Sequence, residues 1–163
     1  MNNERIMSDE YVRLDRMRYT KNTTSSRLAL LAIVFDVLFF ISLYKSDVGT
    51  YYYTILIGAS IVYNLVFLLA AFLASEGVKN YQTVYSWLLV VLGIIQIARI
   101  FVYPVHAHAA TVGGVQVMGT AQYVRTIVYL VCSALCLIAS AVVNWKKSSA
   151  LKAHIASLEA ANA

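Results

Sequence analysis

The sequence predicts an all-α membrane protein: four transmembrane helices in an antiparallel bundle, with a small extracytoplasmic β-hairpin between the third and fourth. Hydrophobic residues make up 60% of the chain and charged residues 13%, with a mean hydropathy of +0.68. Too few charges exist to cover the surface of a soluble domain of this size. Apolar runs at residues 27–44, 53–74, 83–103 and 121–145 are long enough, or nearly so, to cross a hydrocarbon core about 30 Å thick. In lipid each run must satisfy its own backbone, which selects helix over strand. Lys and Arg, finally, are divided unequally among the connecting segments, which gives the bundle an orientation.

Residues 1–26 form a charged leader that carries Arg5, Arg13, Arg16, Arg18 and Lys21. Its stretch SDEYVRLDRMRYTKN offers Ser8 as an N-cap with acidic residues in the first turn. Tyr11, Leu14 and Met17 fall on one side of it. An interfacial helix on anionic lipid and a solvated basic leader both fit that pattern. The first run starts behind the leader at Arg27 and ends at Tyr44, next to Lys45, and no A-x-A-like site follows it. It therefore reads as a membrane span and not as a cleavable signal peptide.

The second loop holds Lys79 and the tail, residues 146–163, holds Lys146, Lys147 and Lys152. The first loop has only Lys45 and the third has no basic residue of this kind. Both termini and the second loop are therefore expected in the cytoplasm. The expected location is a plasma membrane, specifically a bacterial inner membrane. Tyr44, Tyr51, Tyr52, Tyr53, Tyr103 and Tyr123 would mark the outer interface, with Tyr81, Tyr85, Trp87 and Trp145 at the inner one.

In the third loop, PVHAHAATVGGVQVMGT, Gly113-Gly114 separates ATV from VQV, the pattern of a tight hairpin with positive φ at its turn. His106 and His108 would share one face of a strand. The loop has no Asp, Glu or Cys to complete a metal site, so no metal is expected. In the tail, Leu151, Ile155 and Leu158 make a two-turn apolar stripe that would extend the fourth helix and dock on a partner.

Polar residues inside the spans carry the functional information. Asp36 near the middle of the first run is disfavoured by roughly 2.5–3.5 kcal/mol on insertion scales. It shares a stripe with Ser25, Ala29, Ala32 and Ile33. Asn64 lies with Ser60, Phe67 and Ala71 on the second run, and Ser86, Gly93, Gln96, Arg99 and Tyr103 line up on the third. The fourth carries Arg125 and Tyr129, then a packing ridge of Cys132, Cys136, Ser140 and Asn144. Small and polar faces let helices approach and hydrogen-bond in lipid. At 1.5 Å per residue, Asp36, Gln96 and Tyr129 fall roughly 12–13 Å below the outer boundary, with Arg99 and Arg125 about one turn above. The expectation is an intramembrane polar cluster of Asp36, Gln96, Arg99, Arg125 and Tyr129.

Such a cluster reads as a structural ion pair, as a proton or ion path with Asp36 titrating, or as a docking point for a group from another molecule. Nearby arginines favour an ionised Asp36, which weighs against a proton carrier. Enzymatic sets are missing: no Ser/His/Asp arrangement, paired carboxylates or glycine-rich phosphate loop can be assembled. The cysteines are spaced C-x3-C inside a span, and all three histidines lie outside the spans. No catalysis, cofactor or nucleic-acid binding is expected. The expected partners are membrane lipid and other membrane-protein subunits or further copies of the chain. The expected role is an accessory or scaffolding subunit of a larger membrane complex, such as a transporter. The alternative is a small oligomeric transporter or channel that uses the Asp36/Arg99 polar face.

Overall fold

A computed structural model describes residues 2–43 and 51–161 of the chain. Tyr44 and Lys45 lie outside the described residues. In order the elements are α1 (Asn2–Met17), α2 (Thr23–Leu43), α3 (Tyr51–Lys79), α4 (Thr83–Val102), α5 (Pro104–Ala109), β1 (Thr111–Val112), β2 (Val115–Gln116) and α6 (Thr120–Ala161). Four helices, α2, α3, α4 and α6, are long and apolar enough to cross a membrane.

Local chemistry moves several boundaries from their expected places. Helix α2 begins at Thr23, ahead of Arg27, because Asn22 caps it. The Asn22 side-chain oxygen accepts from the Ser25 N–H at 3.4 Å, and the Asn22 N–H donates to the Lys79 carbonyl at 2.8 Å. That bond also ties the start of α2 to the end of α3. The leader helix α1 starts at Asn2, so Ser8 lies inside it and is not its cap. No Gly or Pro interrupts residues 120–161, and α6 runs unbroken for 42 residues, about 63 Å at 1.5 Å per residue. The tail is therefore the continuation of the fourth span.

The hairpin turns at Gly113 and Gly114, with φ of +60° and +82°, and pairs Val112 with Val115. Both central residues of such a turn need positive φ, which glycine alone adopts without steric cost. The strands are exposed, whereas the flanking Val117 and Met118 are buried against Phe39, Leu43 and Leu130. The stretch PVHAHA is helical, with Pro104 in its first turn, and this corrects the expectation that His106 and His108 share a strand face. Two residues apart on a helix, they diverge. His108 stacks on Tyr123 at 4.3 Å and its Nδ1 meets the Met118 carbonyl at 3.0 Å, while His106 is exposed.

Helix α6 packs between α2 and α4, and α3 closes the bundle against the same two helices. Partners of α2 descend along α6: Asn22 with Asn144, Ser25 with Ser140, Ala32 with Ser133, Ser42 with Arg125. The two helices therefore run in opposite directions. Ser25, Ala29 and Ala32 are fully buried, as are Ser133, Ala134, Ser140 and Ala141 on α6. These short side chains bring the backbones close enough for Ser25 and Ser140 to donate to each other's carbonyls at 2.6 and 2.7 Å.

The expected ridge on α6 divides in two, with Ser140 and Asn144 fully buried and Cys136 packed at the margin of an apolar cluster. The buried stripe runs Thr126, Leu130, Ser133, Leu137, Ser140 and Asn144, while Cys132 and Cys136 are only half-buried. Repeated steps of four drift about 40° each around a 3.6-residue helix, and that drift carries the cysteines to the edge.

Two apolar clusters fill the interior. One, around Ala29, Phe67, Ala74, Leu89 and Leu137, lies toward the termini. The other, around Phe39, Leu43, Tyr103, Met118 and Leu130, lies under the hairpin. The polar cluster sits between them.

Candidate intramembrane polar site

Asp36 projects from the middle of α2 and is 1% exposed. Its Oδ1 accepts from Gln96 Nε2 at 2.8 Å and from Arg99 Nη1 at 2.9 Å. Gln96 and Arg99 are three residues apart on α4, so one helical face delivers both donors. Arg99 Nη1 also reaches Gln96 Oε1 at 3.3 Å, and Gln96 Nε2 reaches Ser133 Oγ on α6 at 3.3 Å. Ser133 in turn donates to the Ala32 carbonyl at 3.0 Å, which ties the site back to α2. Helix α3 supplies Ser60 and Asn64, one turn apart: Arg99 Nη2 donates to Ser60 Oγ at 3.0 Å and to Asn64 Oδ1. The guanidinium is also flanked by the rings of Phe39, 4.5 Å away, and Tyr63, 4.3 Å away. One cation and one carboxylate leave the site neutral, as burial in a low dielectric demands.

Three buried polar atoms here have no hydrogen-bond partner among the described residues: Asp36 Oδ2, Asn64 Nδ2 and the Tyr63 hydroxyl. They lie beside two clefts that flank α3. The first, about 250 Å³, opens between α2 and α3 and is lined by Asp36, Asn64, Val37 and Leu65. The second, about 260 Å³, opens between α3 and α4 and is lined by Ser60, Tyr63, Arg99 and Ile95. Asp36 and Asn64 thus line one cleft together beneath apolar side chains, with the two unpartnered atoms themselves buried. An amide or hydroxyl side chain would satisfy such a pair.

The structure brings together Asp36, Gln96 and Arg99 and leaves the other two expected members elsewhere. Arg125 is exposed and its Nε donates to Ser42 Oγ at 3.1 Å, six residues or about 9 Å along α2 from Asp36. Tyr129 packs into the apolar cluster below the hairpin. Ser60, Asn64, Ser133 and the two flanking rings take their places. A signal for Ser60 and Asn64 existed, since both lie on the second run's polar stripe. Their depth relative to Asp36 depends on helix packing, which the stripe does not reveal.

A second polar layer lies near the termini and is well paired. Asn144 donates to the Gln82 carbonyl at 3.1 Å and to Ser86 Oγ at 2.8 Å, and accepts from Asn22 Nδ2 at 2.9 Å. It fastens α2, α4 and α6 at one level.

No protein-family model matches the chain, and no curated protein or solved structure matches it either.

Proposed function

We propose that this protein is a non-catalytic subunit of a larger membrane complex, such as a transporter, and that it works through helix–helix assembly. The observation that carries the reading is the pair of unpartnered buried atoms, Asp36 Oδ2 and Asn64 Nδ2, on the cleft beside α3. A polar atom in hydrocarbon without a hydrogen bond is costly, and a polar side chain from a second helix removes that cost. Helix α3 is also the least enclosed span, with 22% of its most apolar stretch buried against 39% in each of the others. Its exposed positions Val62, Leu65, Val66 and Leu69 form an apolar face on which such a helix would lie.

The distribution of Lys and Arg supports an orientation with both termini and the α3–α4 turn in the cytoplasm, and the hairpin outside. A bacterial inner membrane is the proposed location.

A second reading, a small oligomeric transporter or channel, is favoured by the Asp36 oxygen at a cleft. Against a conducting path, the apolar layer of Ala29, Phe67, Ala71, Leu89 and Leu137 separates the Asp36 cluster from the Asn144 layer.

The test compares mild-detergent preparations of the wild type and Leu65→Trp by mass spectrometry. Leu65 is 65% exposed, so tryptophan there blocks the cleft mouth without disturbing the core. Assembly predicts stoichiometric further chains in the wild type and their loss in the variant. A monodisperse single chain in both would contradict it. Asp36-dependent flux from a lone oligomer in liposomes would favour the second reading.

A further inference from the structure

The end of the bundle that carries both termini holds a third cleft, separate from the Asp36 cluster and independent of what docks on α3. It measures about 350 Å³ and lies between α1, the Thr20–Lys21 link, the Tyr81 turn and the start of the α6 extension. Its lining brings together Arg13, Lys21, Lys146 and Lys147 over the apolar side chains of Leu14 and Met17.

These charges are poorly neutralised. Among the described residues, no carboxylate comes within ion-pair distance of Lys21, Lys146 or Lys147. Lys147 is positioned by neutral acceptors, Asn22 Oδ1 at 3.1 Å and Thr24 Oγ1 at 3.3 Å. Only Arg13 shares its charge, with Glu10 at 3.4 Å in an exposed pair. Three lysines lining one cleft without counter-ions, beside an arginine that is only partly neutralised, repel one another, an arrangement suited to an anion.

The walls are held in place. Tyr11 of α1 packs edge-on against the His154 ring of α6 at 4.9 Å, and His154 Nε2 lies 3.6 Å from Asp15 Oδ1. Tyr81 sits in the left-handed region at φ +59°, unusual for an aromatic residue, and Ser148 Oγ donates to its carbonyl at 2.9 Å. That turn sets the Tyr81 side chain on the cleft. Burial pushes the Tyr81 phenol above its ordinary pKa, against a smaller lowering by the Thr20 hydroxyl, so it stays a neutral donor.

The level of the cleft identifies its occupant. Trp145 immediately precedes Lys146 and packs edge-to-face on Trp87 at 4.8 Å. Tryptophans of this kind settle at the boundary between hydrocarbon and headgroups. The lysines just beyond lie at the depth of lipid phosphates, while Leu14 and Met17 offer an apolar wall that a small soluble anion would leave unused. We propose that this cleft binds the phosphate-bearing headgroup of an anionic phospholipid.

The test uses the full chain in mild detergent, with native mass spectrometry for lipid retention and a thermal midpoint for stability. Phosphatidylglycerol, phosphatidylcholine and inorganic phosphate are added separately. Phosphatidylglycerol should be retained in preference to phosphatidylcholine and raise the midpoint, and inorganic phosphate should do neither. Lys21→Gln and Lys146→Gln should each weaken retention roughly fivefold, the loss expected for one cation near an anionic surface. Neither side chain makes a hydrogen bond among the described residues, so the lipid-free midpoint should hold. Lys21→Arg and Lys146→Arg should retain lipid as the wild type does, and they decide the matter if a Gln variant folds poorly. Equal retention of both lipids, full retention in the Lys21→Gln/Lys146→Gln protein, or an equal shift from inorganic phosphate would overturn the proposal.

Discussion

Asp36 and Arg99 form the buried pair on which the middle of the bundle depends, and the two arginines near it should differ sharply on mutation. Arg99→Ala strands a buried carboxylate and is expected to destabilise by about 3–5 kcal/mol. Arg125→Ala removes an exposed side chain bonded to one hydroxyl and should lose under about 1 kcal/mol. Unfolding of both variants in detergent checks this, and equal losses would contradict the geometry. Because the Asp36–Arg99 bond is direct, Asp36→Ala/Arg99→Ala should lose less than the sum of its single variants. Asp36, Gln96 and Arg99 were legible in sequence because each is expensive in an apolar run and must find company. Arg125 looked equivalent by depth alone. Its exposure, and its level opposite Ser42, follow from how α6 slides against α2, and no single helix encodes that offset.

At the scale of elements, the spans and the hairpin were readable because length and local conformation decide them. Apolar length sets the helices, and two adjacent glycines set the turn. Helix ends were less readable: Asn22 acts as a cap only because Lys79 and Asn144 are placed to receive its other groups. The α6 stripe separates two classes of residue that looked alike in sequence. Asn144→Ala removes bonds to α2, α4 and the Gln82 carbonyl and should cost roughly 1–2 kcal/mol. Cys132→Ala and Cys136→Ala lie at the stripe's edge and should each fall below about 1 kcal/mol. In the last turn of α3, a Cβ on Gly77 would overlap the Tyr85 ring. Gly77→Ala should therefore lower the thermal midpoint, although alanine is the better helix former; an unchanged midpoint would show that Tyr85 moves aside freely.

For the whole molecule, cross-helix hydrogen bonds fasten the end near the termini, where Ser75 Oγ and His154 Nε2 nonetheless lack hydrogen-bond partners among the described residues, and the middle is satisfied on one side only. Near the termini, Asn22, Ser25, Ser86, Ser140 and Asn144 are paired across three helices. Around Asp36, the contacts are complete toward α4 and α6 and incomplete toward the cleft at α3. Among the described residues, Asp36 Oδ2 and Asn64 Nδ2 have no partners, and both residues line the cleft beside the apolar face of α3. We propose that this open side of the site underlies assembly through α3. It was not legible in the sequence, where each span shows a polar stripe and nothing distinguishes a satisfied stripe from an open one.

The most direct measurement places a photo-crosslinking residue at position 65, on the cleft mouth of α3, and at position 135, on the exposed face of α6. Irradiation in native membranes should give a protein adduct of one discrete mass from position 65 and only lipid adducts from position 135. Lipid adducts alone from both positions would contradict assembly through α3.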